Sequence, residues 1–192
     1  FPSWIIKKID AGIITRTNLS DLLRLSLLAS YGGMWLDSTF YCVGSLDKSL
    51  YNGPIFSIKR PDYLHASVAG GMFAGYSLGC DDDHRRAFAT IRDFFLEYWR
   101  RNDFMVDYLL VDYLTVLAQR HDPWIAEAFN EIQPNNPDCD ELFKILDQPY
   151  DEDMWKRLSA HTDLFKLTWK QDFPVEHDGE KTFYGMLEGI GD

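Results

Sequence analysis

Four charged side chains stand out by the company they keep. Asp21 and Arg24 lie three residues apart in Ser20-Asp21-Leu22-Leu23-Arg24-Leu25. Asp37 follows the run Tyr31-Gly32-Gly33-Met34-Trp35-Leu36, and Asp112 sits in apolar sequence five residues after Asp107. Projected at about 100° per residue, Leu19, Leu22, Leu23, Leu25, Leu27 and Leu28 point nearly all round a helix, and a helix apolar on all sides is buried. Asp21 and Arg24 are thereby carried into the interior or to the wall of a cleft. Charges there need partners, so the two pair with each other or wait for a ligand. Arg24 cannot lose its charge and can fork onto oxygens. In one helix, Asp107 and Asp112 fall on different faces, and only one of them reaches a cleft. Lys166 and Lys170 either neutralise phosphate or are solvated, with Lys166 the better candidate.

These residues need elements to position them. Pro2 to about Ala11 reads as a short helix with Gly12 past its end. Asn18 is the expected cap of the leucine-rich helix, with Asp21 three residues on in a box-like arrangement. That helix runs to Tyr31 and stops at Gly32-Gly33, where a tight turn or a close approach of backbone to ligand is allowed. Met34 to Leu36 reads as a strand. Asp37 is then at its C-terminal end, where ligands bind in open α/β sheets. Tyr51-Asn52-Gly53-Pro54 is a turn; Ile55 to Ile58 and Gly71 to Ala74 read as strands. Ala69-Gly70-Gly71-Met72-Phe73-Ala74-Gly75 lacks the phosphate-loop pattern. It is either a plain buried strand or one whose small residues make room for a ligand.

Asp81-Asp82-Asp83 reads as the acidic start of a helix, not as a metal cluster. Ala87, Phe88, Ile91, Phe94, Phe95 and Tyr98 keep the 3.6-residue period, and Asn102 breaks it. Phe104 to about Gln119 reads as a further helix, with Asp107 and Asp112 embedded in it. Pro123 restarts a helix to about Ile132. Short helices are expected at Glu141–Leu146 and Asp151–Ser159, a strand over Leu164–Trp169 and a turn at Asp178-Gly179. The class is α/β or α+β, helix-rich, with a small sheet.

Composition narrows the functions. The chain has 192 residues, 46% hydrophobic and 15% aromatic, enough for a substantial core in one domain. A net charge of −11 opposes general nucleic-acid binding. The longest uncharged run, Leu25 to Leu36, is too short to span a bilayer, and no signal-peptide pattern opens the chain. Cys42, Cys80 and Cys139 are odd in number and lack metal-type spacing. They point to a reducing compartment and to roles as small apolar fillers. The expected location is cytoplasmic, with the inner face of the membrane as a site of peripheral association. The chain opens on Phe1 without Met and reads as a piece of a longer protein.

The series Asp21-x-x-Arg24 followed by Tyr31-Gly32-Gly33-Met34-Trp35-Leu36-Asp37 resembles nucleotide-sugar-dependent glycosyltransferases of the GT-A type. Within them it is most similar to the capsular polysaccharide synthesis protein family. It is also similar to the glycosyltransferases that carry a DxD sugar-binding region. Weaker likenesses to the capsular family continue at Phe94-Phe95-Leu96-Glu97-Tyr98-Trp99, Tyr108-Leu109-Leu110-Val111-Asp112-Tyr113 and Lys166-Leu167-Thr168-Trp169-Lys170, so the resemblance spans roughly residues 1–170.

The resemblance implies a GT-A-like α/β domain over residues 1–192, with a core of 1–170 and a C-terminal extension of 171–192. It lacks the N-terminal βαβ part that binds much of the base. The piece alone is therefore expected to be inactive, to bind nucleotide weakly and to self-associate through an exposed sheet edge. The implied activity moves a sugar from a nucleotide-sugar donor to a growing polysaccharide or lipid-linked glycan, in capsule or surface polysaccharide synthesis. By resemblance Asp21 and Arg24 contact the donor, Asp37 its ribose or a metal, and Gly33 and Lys166 belong to the donor site. Trp35 lines the donor pocket or is a core residue. Asp37 and Asp112 are the catalytic candidates. His161 is either a surface histidine or, by resemblance, serves the diphosphate or a metal with Asp37, since comparable folds use C-terminal histidines there. Thr39 stands where a full DxD motif has a second aspartate. A hydroxyl is a poor replacement for a carboxylate on Mn²⁺ or Mg²⁺, so metal use is in question. That departure motivates the alternative, a degenerate non-catalytic carbohydrate-binding or scaffold protein.

Overall fold

The computed structural model describes residues 1–43, 46, 53–59 and 68–189. In chain order its elements are α1 (Ser3–Asp10), α2 (Arg16–Tyr31), β1 (Gly33–Leu36), β2 (Phe40–Cys42), β3 (Ile55–Ser57), β4 (Ser77–Cys80), α3 (Arg85–Arg101), α4 (Leu110–His121) and α5 (Pro123–Asn130). A 3-10 turn at Leu142–Ile145 follows, then α6 (Glu152–Ser159), β5 (Leu164–Lys166), β6 (Glu176–His177), β7 (Glu180–Lys181) and α7 (Phe183–Glu188). The chain divides into two compact units: Phe1–Leu36 with Lys48–Gln133, and Asp37–Asp47 with Pro134–Asp192.

In the first unit, β4 lies between β1 and β3 in an antiparallel sheet. Gly33 pairs with Cys80, Leu36 with Ser77, and Ile55 with Cys80. The core gathers Leu22, Leu25 and Leu28 of α2 with Phe88, Ile91, Phe95 and Trp99 of α3 and Leu110, Leu114 and Ala118 of α4. Two buried serines fix the approach to β4. Ser57 Oγ accepts from the Ala74 amide at 2.7 Å and donates to the Ser77 carbonyl at 2.8 Å. Ser77 Oγ accepts from the Ile58 amide at 3.0 Å. The turn from Ala74 to Ser77 is thus held by buried, satisfied polar groups, which are costly to leave unpaired.

In the second unit, β2 pairs antiparallel with β5, Phe40 opposite Lys166 and Cys42 opposite Leu164. Its core is Leu142, Leu146, Leu158, Phe165 and Phe183. Asn136 is buried, and its Oδ1 accepts from the amides of Asp163 and Leu164, each at 2.9 Å, to start β5. β6 and β7 form a hairpin around Asp178 (φ 52°) and Gly179 (φ 83°), the positive-φ pair that a tight two-residue turn needs.

The mixed α/β content, rich in helix, agrees with the sequence reading, while several local expectations change. Thr15, not Asn18, caps α2: its side chain accepts from the Asn18 amide at 3.3 Å. α2 is not buried all round, because Leu23, Leu27 and Tyr31 form an exposed stripe. The described sheets are antiparallel, so the strand-end rule for parallel sheets gives Asp37 no support. Residues 71–73 lie in turn and coil and Ala74 makes only an isolated bridge to Ser77; the strand is Ser77–Cys80. The helix expected from Phe104 begins at Leu110. Before it, the Tyr98 hydroxyl donates to the Phe104 carbonyl and accepts from the Val106 amide, and Asp107 Oδ1 accepts from the Leu109 amide. α3 starts at Arg85 with His84 at its N-cap, no side-chain cap bond and no acidic residue in its first turn, so the acidic start expected at Asp81-Asp82-Asp83 lies ahead of the helix; Asp81 Oδ1 accepts from the His84 amide at 2.8 Å. Of the turn expected at Tyr51-Asn52-Gly53-Pro54, Tyr51 and Asn52 lie outside the described residues, and Gly53-Pro54 form a bend. Cys80 and Cys139 are buried, whereas Cys42 is exposed and fills no core.

Candidate functional site

The leucines of α2 that face the core carry Asp21 and Arg24 inward with them. Arg24 is 5% exposed and Asp21 6%. They do pair: Arg24 Nη2 lies 3.3 Å from Asp21 Oδ1. Nη1 of the same guanidinium donates to the Gly75 carbonyl, on the turn that Ser57 and Ser77 hold. The guanidinium also lies over Trp35 of β1, 5.4 Å from the ring centre. One cation is therefore fixed by a carboxylate, a carbonyl and an aromatic face in a buried setting, where a charge needs such company.

Asp112 joins this cluster from the first turn of α4. Burial pushes its carboxyl up to about 6, and the charge of Arg24 pulls partly the other way. A carboxyl in that range exchanges its proton near neutral pH, the property that general acid–base work requires. Gly75 makes the arrangement possible. A Cβ at that position would stand 2.6 Å from Asp112 Oδ1 and 3.7 Å from Arg24 Nη1. The close approach needs glycine for space, and the small-residue run Ala69–Gly75 was the only sequence signal of it.

A second cluster lies in the other unit. β2 and β5 bring Lys166 beside the segment that follows β1. Lys166 Nζ donates to Thr39 Oγ1, lies 4.0 Å from Asp37 Oδ2 and 5.6 Å from the Phe40 ring centre. The Thr39 hydroxyl, where the sequence resemblance would put the second aspartate of a DxD motif, meets an ammonium. That set does not fit Mn²⁺ or Mg²⁺, which take several oxygen ligands. No group of three or more His, Cys, Asp or Glu lies together among the described residues.

The structure thus gathers Asp21, Arg24, Trp35 and Asp112 in one place, and Asp37 and Lys166 in another. Gly33 belongs to neither; it lines an apolar cleft of about 230 Å³ with Met34, Gly53, Phe56, Gly79 and Cys80. His161 is exposed in a loop, and Asp107 is an exposed turn cap.

A helix-rich α/β chain with a buried arginine–carboxylate cluster is the class of protein these features define. The sequence model of the capsular polysaccharide synthesis protein family matches residues 1–187, and the chain belongs to that family. No curated protein and no solved structure gives a significant match to it. Membership carries a role in capsule synthesis. Among the described residues, no helix is long and apolar enough to cross a membrane.

Proposed function

We propose that the protein is a nucleotide-sugar-dependent glycosyltransferase that extends a polysaccharide or lipid-linked glycan of the capsule. The observation that carries this reading is the buried Asp21–Arg24–Asp112 cluster against Gly75, built from the residues that also carry the family likeness. Sugar transfer breaks the bond between an anomeric carbon and a diphosphate, and the leaving group gains negative charge. Fixed cations aimed at that charge lower the barrier. Arg24 is a preorganised cation, held in place before any ligand arrives. Lys166, beside Thr39 and Asp37 in the second unit, is a cation chemically suited to phosphate. Asp112 Oδ1 is the candidate acceptor of the proton that the attacking hydroxyl releases.

Calorimetry of the full-length protein against UDP-, GDP- and CDP-sugars, with and without Mn²⁺, tests the reading. One donor should bind, and Arg24→Lys, which keeps the charge but loses the fork, should weaken it about tenfold, or about 1.4 kcal/mol. Binding of none of the donors, or equal binding by the variant, would overturn the assignment.

A further inference from the structure

The second unit carries a cleft that the donor reading does not use. It has a volume of about 260 Å³ and is lined by Leu167, Thr168, Trp169, Gln171, Asp172 and Tyr184, among others. Trp169 is 79% exposed, the most open of the large hydrophobic side chains among the described residues. An exposed indole beside a cleft is informative where an exposed leucine would not be. Thr168 Oγ1 accepts from the Lys170 amide at 3.2 Å and shapes the bend that presents Trp169 outward.

The cleft has a fixed aromatic wall. The rings of Phe173 and Tyr184 are 5.9 Å apart at 37°, and Phe143 packs edge-on against Phe173 at 5.9 Å. The Tyr184 hydroxyl is committed to Glu188 Oε1 at 2.6 Å, so Tyr184 offers mainly its ring. The polar groups are Gln171 and Asp172. Both are exposed, and neither makes a side-chain hydrogen bond among the described residues. An amide and a carboxylate each present two adjacent polar atoms, a match for neighbouring hydroxyls.

We infer that the Trp169–Asp172 cleft binds a neutral sugar ring of the acceptor glycan. A pyranose has an apolar C–H face for the indole and a rim of hydroxyls for Gln171 and Asp172. A purely apolar ligand would cover those two polar groups without pairing them, at a cost. An anionic ligand would meet the Asp172 carboxylate in a chain of net charge −11. The segment is continuous with β5: Lys166, which meets Asp37 and Thr39, comes three residues before Trp169. The role as acceptor subsite rests on the transferase reading; the binding of sugar does not.

The test uses full-length protein and the methyl glycosides of glucose, galactose, mannose and N-acetylglucosamine. Binding is read from the Trp169 indole N–H resonance, assigned by its loss in Trp169→Phe. At least one glycoside should shift it, and Asp172→Ala should weaken that binding about tenfold. Trp169→Ala, at an exposed position that leaves the core intact, should abolish binding in calorimetry. No shift with any of the four, or binding unchanged in both alanine variants, overturns the proposal. A shift with UMP, GMP or CMP but with no glycoside makes this a base site and overturns it as well. Glycoside binding retained in a protein that binds no nucleotide-sugar sinks the transferase reading and leaves the sugar site standing.

Discussion

Asp112→Asn is the sharpest probe of the buried cluster. An ordinary aspartate titrates at 3.8, and burial moves Asp112 to about 6 in spite of Arg24. Below about pH 4 the carboxyl is protonated in folded and unfolded chains alike, and no penalty arises. Between about pH 4 and 6 the folded state keeps a proton that the unfolded state gives up, so stability falls as pH rises. Above about pH 6 the full penalty applies. At about 1.4 kcal/mol for each pH unit, the interval corresponds to about 3 kcal/mol. Asparagine has nearly the same shape and does not ionise. The variant should therefore match the parent near pH 4 and exceed it by up to about 3 kcal/mol at pH 8. Urea transitions at a series of pH values measure the difference, and carboxyl-carbon NMR gives the midpoint directly. A midpoint near 4, or a variant less stable than the parent at pH 8, would refute the account. It would mean that Arg24 needs the Asp112 charge more than burial opposes it.

Gly75→Ala puts a methyl against Asp112 Oδ1 and should cost about 1–3 kcal/mol; adding Asp112→Ala should recover much of the loss in the same urea assay. Lys166→Met should reduce sugar transfer about 100-fold, as removal of one charge-stabilising donor does elsewhere, with the far-ultraviolet dichroism unchanged. Thr15→Ala removes the α2 cap and should lower stability by about 1 kcal/mol, whereas Asn18→Ala should leave the cap bond from the Asn18 amide in place and keep α2 helicity by dichroism.

What the sequence revealed depended on the range of the interaction. The burial of Asp21 and Arg24 was legible, because Leu22, Leu25 and Leu28 flank them on a helical period. The apolar run around Asp107 and Asp112 embedded both in one helix, whereas only Asp112 lies in it and is buried. The period counts apolar residues but does not say what covers them, so the exposed Leu23 and Leu27 read as core. Phe104 to Val106 had helical composition, yet a hydroxyl from Tyr98 on another helix claims the backbone groups there. The meeting of Lys166 with Thr39 spans 127 residues and has no local signature. Thr15 and Asn18 are both good caps, and composition alone could not choose between them.

The pairing of β2 with β5 has a consequence for synthesis of the chain. At about 5–20 residues per second, the ribosome needs roughly 6–25 s to travel from Thr39 to Lys166. For an interval of that order β2 lacks the strand it pairs with. Its open edge is then available to any neighbouring nascent chain. Expression yield should respond to translation speed and chaperone supply more than the final stability suggests, and slow codons after residue 43 should lower it.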